Sequence, residues 1–197
     1  MTAFLLRSFL VLGGRHGHTI KGKSIGLRPL RPEDIWLLYR WFNDKRVIED
    51  LGLRHALFCV SMEEERKLME RKLNSPSDRD FIVVKLADDR SIGWISLSHI
   101  DQRNASAELN LVIGETEEWG KGFGREATMT LVDHAFNVLN VHRVHLRVTE
   151  YNERAIACFG ACGFQKEGTM RDDHYHLGAF MSSHLMSVLR PEGNRRD

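Results

Sequence analysis

The sequence lacks several features that would point to particular classes of protein. Its three cysteines, Cys59, Cys158 and Cys162, form no Cys-x-x-Cys pair and no even-numbered framework. This predicts free thiols in a reducing cytoplasm rather than a disulfide-stabilised domain. The formal net charge of +1 provides no large field that would favour nucleic acid or a membrane as partner. No repeat, linker or low-complexity tract divides the 197 residues, so we expect one main domain.

The apolar stretch near the N-terminus is too short to cross a membrane. It comprises residues 3–12 and is interrupted by an arginine and a serine, whereas a membrane span needs about 20 apolar residues. The glycine-rich segment that follows is a poor signal-peptide cleavage site. We expect residues 1–22 to form an extension that packs on the domain or on a partner subunit, with a frayed tail as the alternative. Residues 23–191 are expected to form the domain and residues 192–197 a C-terminal tail.

The order of periodic segments predicts an α/β protein. Alternating apolar residues indicate strands, apolar residues at helical spacing indicate helices, and clusters of Gly, Pro, Asn and Asp mark the breaks between them. Residues 45–60 show no clear pattern and are interpreted as a loop. The predicted order is strand 24–30, helices 32–44 and 61–73, strands 81–87, 91–99 and 105–113, a helix around 127–139, strand 144–148, helix 152–161, and strands 164–170 and 178–189.

A glycine-rich turn joins the strand at 105–113 to the helix that follows it. Glycine lets the backbone approach a ligand closely, and the first N–H groups of a helix are unpaired at its positive end. Lys121 and Arg125 add positive charge. The turn therefore predicts a phosphate-binding cradle, with a plain loop as the alternative. It lacks the Rossmann and Walker glycine spacings. Its sequence is Trp119-Gly120-Lys121-Gly122-Phe123-Gly124-Arg125.

This turn resembles the acyl-CoA-binding motif of the GNAT superfamily of N-acetyltransferases, Gln/Arg-x-x-Gly-x-Gly/Ala. Here the motif reads Trp119-x-x-Gly122-x-Gly124, so its first position departs from the general pattern. The whole segment 119–127, Trp-Gly-Lys-Gly-Phe-Gly-Arg-Glu-Ala, is similar to the branch that holds the ribosomal-protein alanine acetyltransferases and the spermidine acetyltransferases. The resemblance covers about residues 23–191. Further matching segments begin, in order, at Leu27, Pro32, Asn152, Cys162, Gly168 and Met186.

The resemblance implies a fold and an activity. The fold is α/β (α+β), with a mixed, mostly antiparallel central sheet of about seven strands and helices on both faces. The activity is transfer of acetyl from acetyl-CoA to a primary amine by direct attack. A protein N-terminus, a polyamine, an amino sugar and an antibiotic all remain open as the acceptor. The family also implies a homodimer.

Glu108 is the candidate base, because an alkyl amine with a pKa of roughly 10 must lose a proton before it attacks. Its apolar neighbours Ala107 and Leu109 would desolvate the carboxylate and raise its pKa, and the family implies action through water. A salt-bridged or edge-exposed glutamate is the equal alternative. Backbone N–H groups near residues 111–113 would stabilise the oxyanion. The residues expected to bind acetyl-CoA are Leu111, Val112, Ile113, Lys121, Gly122, Phe123, Gly124, Arg125, Asn152 and Phe159.

Phe159 departs from the family, since many relatives carry tyrosine there as the proton donor for the leaving thiolate. Water, Cys158 or Tyr175 could replace that donor, although two buried thiols one turn apart are the favoured interpretation of Cys158 and Cys162. The departure also motivates an alternative function, a catalytically weak acyl-CoA-binding module that acts through a partner. Asn152 is expected to bind the cofactor arm and to cap a helix.

The acceptor pocket is expected between the first helices and the last strands. Aromatic and acidic side chains there would suit a cationic amine. His174 and His176 could suggest a metal, but no third ligand has suitable spacing, so no metal is expected. The predicted acceptor-binding residues are Glu33, Tyr39, Trp41 and Tyr175.

Overall fold

The structure is a computed structural model that describes residues 19–51, 61–176 and 178–190. The predicted terminal extension and tail lie almost wholly outside these residues, as does Cys59. The strands are β1 (Ile20–Lys21), β2 (Ile25–Pro29), β3 (Arg79–Lys85), β4 (Arg90–Asp101), β5 (Ser106–Ile113), β6 (Arg143–Thr149), β7 (Gln165–His176) and β8 (Ala179–Leu189). The helices are α1 (Ile35–Phe42), α2 (Lys45–Leu51), α3 (Met62–Asn74), α4 (Phe123–Asn137) and α5 (Glu153–Ala161).

One eight-stranded sheet runs through the described residues in the order β1-β2-β3-β4-β5-β6-β8-β7. The β5–β6 pair is parallel, and the other neighbouring pairs in the described residues are antiparallel. A parallel pair needs a crossover connection, which α4 provides. The predicted mixed, mostly antiparallel sheet is confirmed, with the two-residue β1 as an addition.

Helices cover both faces of the sheet. On one face, α4 and α5 pack through Leu131 and Phe159 into a core that includes Leu109 of β5. On the other face, the first helices pack through Leu38 and Met69 into a core that includes Val112 of β5. Since side chains along a strand point alternately to opposite faces, these two cores lie on opposite sides of β5. No described helix is long and apolar enough to cross a membrane.

The helix starts follow from local capping. At α3, the Ser61 hydroxyl accepts from the Glu64 N–H at 3.2 Å, and the Glu64 carboxylate accepts from the Ser61 N–H at 2.8 Å, which is a capping box.

The interpretation of residues 45–60 as a loop is wrong for α2. There the Asp44 carboxylate accepts from the Arg46 N–H at 2.9 Å. Residues 52–60 lie outside the described residues.

Strands β5 and β6 separate after three paired positions. The parallel pairing joins residues 106–108 to residues 143–145. Beyond that point β5 stays paired with β4 up to Ile113, and β6 stays paired with β8 up to Thr149. The sheet therefore opens between residues 109–113 of β5 and the last residues of β6.

Candidate active site

A cavity of about 590 Å³ occupies the opening between β5 and β6. One wall is residues 109–113 of β5, and the opposite wall is the end of β6 with the start of α5. The glycine-rich turn and the first residues of α4 close one side, and residues of α1, α2 and α3 close the other. The fold thus brings the predicted cofactor turn and the first helices to one cavity.

The glycine-rich turn encloses open space at the start of α4. Gly122 immediately precedes α4 with φ +87°, and Gly120 has φ +74°. A Cβ at either position would meet nothing within 4 Å in the described part of the chain. No described side chain caps the first N–H groups of α4. A turn with uncapped amides and no side chain in the way fits the phosphates of acetyl-CoA.

Two arginines add positive charge to this end of the cavity. Arg125 and Arg154 both line it. The Arg154 guanidinium carbon lies 3.7 Å from the centre of the Trp119 ring, a cation–π distance. The Trp119 indole N–H donates to the carbonyl oxygen of Ile113 at 2.7 Å, which fixes the ring. Arg154 was missing from the predicted cofactor set, although it lies in one of the segments that resemble the family.

Lys121 is directed away from the cradle. Its Nζ lies 3.0 Å from Oε2 of Glu118, and Lys121 is absent from the described cavity wall. Glu118 is 4% exposed. The Lys121 hydrogen bond, with the charge of Lys85, holds the pKa of Glu118 below its usual range. Lys121 therefore pairs with a buried acid, together with Lys85 and Arg90, and its predicted contact with the cofactor stays a prediction.

The backbone of β5 presents N–H groups to the cavity at alternate residues. The Gly114 N–H donates to the carbonyl oxygen of Ile92 in β4 at 2.9 Å. Backbone groups that point to one neighbour alternate with groups that point away from it. Val112 lies two residues earlier in the same register, so its backbone N–H also points to β4. The N–H groups of Leu111 and Ile113 point into the opening, so two of the three predicted residues offer a donor there.

The start of α5 brings three further candidates to the cavity. Asn152 is buried, and its Oδ1 accepts from the Ala155 N–H at 3.0 Å, so it caps α5 as predicted. Phe159 and Cys158 also line the cavity. A hydrogen bond with the Cys162 thiol and the charge of Arg125 lower the pKa of Cys158. Of the two side-chain alternatives for the proton donor, Cys158 is the one that lines the cavity. Tyr175 instead packs against Phe180 outside the cavity wall, with ring centres 5.3 Å apart.

Glu108 lies where β5 and β6 begin to separate, opposite His145 in the last parallel pair. Its side chain is 25% exposed, and its Oε2 lies 3.0 Å from Nδ1 of His99. The described wall of the cavity does not include it. Glu108 is thus a hydrogen-bonded carboxylate at the vertex of the opening, and its predicted role as base stays a prediction.

The predicted acceptor residues lie away from the cavity. None of the four lines its described wall. Glu33 is exposed and Tyr39 is half-buried. Trp41 is 1% exposed, and its indole N–H donates to Glu115 at 2.9 Å. Trp41 is thus a core residue.

A different set of side chains lines the cavity on the side of α1, α2 and α3. They are mostly apolar or aromatic, with one carboxylate from α3. This acid, Glu65, was not predicted, although it shares a helix face with Leu68, Met69 and Lys72 at spacings of three, four and seven residues. In the described residues, no three potential metal-ligating side chains lie together. The residues on this side of the cavity are Phe42, Val47, Glu65, Leu68, Lys72 and Trp94.

Comparisons with known proteins agree with this geometry. A family model described as an acetyltransferase (GNAT) domain matches residues 24–165. The chain is 30% identical over 176 residues to the uncharacterized N-acetyltransferase p20 of Bacillus licheniformis, which covers 88% of this chain and 97% of that protein. It is 30% identical over 167 residues to a spermidine N(1)-acetyltransferase of Vibrio cholerae, which covers 85% of this chain and 94% of that protein.

The fold is also similar to a solved enzyme. The crystal structure of spermidine N-acetyltransferase from Vibrio cholerae in complex with CoA and spermine matches with a TM-score of 0.76 and 25% identity. The match covers 84% of this chain and 95% of that one. These findings confirm the predicted fold, family and activity. The chain belongs to the GNAT acetyltransferase family and is an N-acetyltransferase that uses acetyl-CoA as its co-substrate.

Proposed function

We propose that this enzyme acetylates a small-molecule amine that carries positive charge, with polyamines as the first class to test. The observation that carries the proposal is that the two ends of the cavity carry side chains of opposite charge. Arg125 and Arg154 lie at its α4–α5 end, whereas aromatic side chains and the carboxylate of Glu65 lie at its α3 end. A polyanionic cofactor suits the first end and a cationic amine the second. The Vibrio cholerae protein that matches by sequence and the Vibrio cholerae structure that matches by fold are both named spermidine acetyltransferase, which supports the same class.

The glycine-rich turn and β5 would hold the co-substrate. The N–H groups of residues 123–125 and the Arg154 guanidinium would bind its phosphates. The exposed backbone edge of β5 and the side chain of Asn152 would bind the pantetheine arm. Acetyl-CoA supplies the acetyl group as a thioester. The N–H groups of Leu111 and Ile113 would stabilise negative charge on the thioester oxygen without reorganisation, because the β4–β5 ladder already fixes them.

Proton transfer would use residues at the vertex and at the start of α5. Glu108 would accept the proton of the amine through a water molecule, with the His99 ring holding its carboxylate. The leaving thiolate would take a proton from the Cys158 thiol or from water, since Phe159 has none to give.

The test is thiol release from acetyl-CoA with a panel of acceptors. The panel contains spermidine, an N-terminal peptide, glucosamine and an aminoglycoside. We expect release well above background with spermidine. We expect little release with the peptide or glucosamine, whose only amine is the one that would be acetylated. Release with the peptide or glucosamine alone would contradict the proposed substrate class. Acetyl-CoA binding without release from any acceptor would favour the binding-module alternative. The predicted homodimer stays a prediction, which light scattering would measure.

A further inference from the structure

Glu65 is a buried carboxylate that has no hydrogen-bond partner in the described structure. The residue is 1% exposed, and neither Oε1 nor Oε2 has a partner among the described residues. Burial raises its pKa, an effect that the nearby charge of Lys72 partly offsets. An unpaired buried carboxylate costs free energy in the folded protein. Such a group needs an explanation, and its position in the cavity wall supplies one.

Lys72 forms its ion pair with Asp80 and not with Glu65. Its Nζ lies 3.1 Å from Oδ1 of Asp80 and 4.1 Å from the centre of the Trp94 ring. Asp80 also accepts from the Trp94 indole N–H at 2.9 Å. The lysine is therefore engaged by an acid and a ring of its own. Among the described residues, the Glu65 carboxylate therefore has neither a hydrogen bond nor an ion pair.

The surroundings of Glu65 favour an organic cation. Phe42, Val47 and Leu68 form the cavity wall beside it with Trp94. Apolar walls would bury the methylene groups of an alkyl amine, and aromatic rings attract an ammonium group. A metal ion would need further ligands, and no suitable cluster exists in the described residues.

We propose that Glu65 binds an ammonium group of the acceptor amine and so positions the acceptor in the cavity. This inference rests on the proposed function. The bound cation would supply the missing partner of the carboxylate, and the two would form charge-assisted hydrogen bonds in a desolvated site. Glu65 therefore selects cationic acceptors over neutral ones. Its role is in binding, and Glu108 keeps the proposed role in proton transfer.

The experiment replaces Glu65 by glutamine and measures steady-state kinetics with spermidine. Glu65→Gln keeps the shape of the side chain and removes its charge. We expect KM for spermidine to rise at least about tenfold, the effect of losing one charged hydrogen bond. KM for acetyl-CoA should change less than about twofold by the same argument, because the phosphate end is untouched. Glu70→Gln, the same change on an exposed position of α3, is the control and should match wild type.

A second variant tests whether the charge of Glu65 is what matters, and a binding assay tests its role without turnover. Glu65→Asp keeps the charge and should give a KM for spermidine between those of wild type and Glu65→Gln. Calorimetry with spermidine and the CoA-bound protein needs no turnover, and binding should weaken in Glu65→Gln but persist in Glu70→Gln. Equal spermidine affinity in wild type and Glu65→Gln would overturn the role of Glu65, even if the wild-type enzyme acetylates spermidine. Absence of turnover in wild type, with binding lost in Glu65→Gln, would instead contradict the proposed function and leave the role of Glu65 supported.

Discussion

Replacing Gly122 by alanine should weaken acetyl-CoA binding strongly while it lowers the stability of the fold only modestly. Gly122 has φ +87°, and a Cβ there would meet no described atom within 4 Å. The cost to folding is therefore the left-handed backbone alone, about 1–2 kcal/mol. For a chain of this size, that cost lowers Tm by about 2–8 °C. The added methyl group would enter the space where we place the cofactor phosphates. Loss of one hydrogen bond to a charged group costs about 1.5–3 kcal/mol, a 10- to 150-fold loss of acetyl-CoA affinity.

Gly178→Ala is the matched control for this change. Gly178 has φ +91°, and a Cβ there would also meet no described atom within 4 Å, but it lies in the β7–β8 turn outside the described cavity wall. Both variants should lose similar Tm by differential scanning fluorimetry. Titration calorimetry should show weakened acetyl-CoA binding in Gly122→Ala alone. If both variants keep wild-type affinity, the glycine-rich turn does not hold the phosphates.

The remaining predictions concern proton transfer, packing and pH. Glu108→Gln should lower kcat at least about 100-fold with acetyl-CoA affinity unchanged, and unaltered kcat would remove Glu108 from the role of base. Phe159→Tyr should raise kcat if the leaving thiolate lacks a good donor, and a stopped-flow record showing no gain would argue that water already suffices. Gly114→Ala should lower the free energy of unfolding by about 1–3 kcal/mol in urea titrations, because its Cβ would lie 2.1 Å from the Trp41 ring; unchanged unfolding would refute that contact. Burial raises the pKa of Glu65, so its ionisation destabilises the fold as pH rises through the folded pKa. The Tm advantage of Glu65→Gln over wild type should therefore grow with pH, and a pH-independent difference would contradict this assignment.

The glycine-rich turn could be predicted from the sequence because its structure depends on residues close together in the chain. A strand, a turn that needs positive φ at Gly120 and Gly122, and a helix start all lie within about twenty consecutive residues. The capping box at Ser61 is local in the same way. Such features depend on neighbours along the chain, so residue type and spacing are sufficient to predict them.

Helix α2 was missed because its start resembles an end. Asn43 and Asp44 suit the end of α1, yet the Asp44 carboxylate accepts the N–H of Arg46 and begins the next helix. The helix is seven residues long, too short to show two apolar turns. Val47, at 2% exposure, anchors it to the core.

The extent of β7 was underestimated for a different reason. The predicted strand ends at residue 170, whereas β7 runs to His176. Asp172 and Asp173 interrupt the apolar alternation, and the pairing with β8 shifts register between Met170 and His174. Asp172 has φ +50°, as a bulged residue can. Pairing with β8 maintains the strand across this polar stretch, and pairing between distant residues is invisible to a local pattern.

The acceptor side of the site could not be predicted because it depends on tertiary packing. Glu65 follows Glu63 and Glu64 at the positive end of a helix, where acids are usually solvated. Only the packing of α3 on the sheet buries the third acid of the run. Trp41 shows the opposite error, because an aromatic residue that looked suited to a ligand fills the core against Gly114.

A crystal structure of the enzyme with CoA and spermidine would show where both ligands bind. We expect the CoA phosphates on the N–H groups of residues 123–125, with Arg154 beside them and the pantetheine arm along β5. We expect an ammonium group of spermidine within hydrogen-bond distance of the Glu65 carboxylate. CoA bound elsewhere, or spermidine bound in the cavity with no ammonium group near Glu65, would contradict the proposed site.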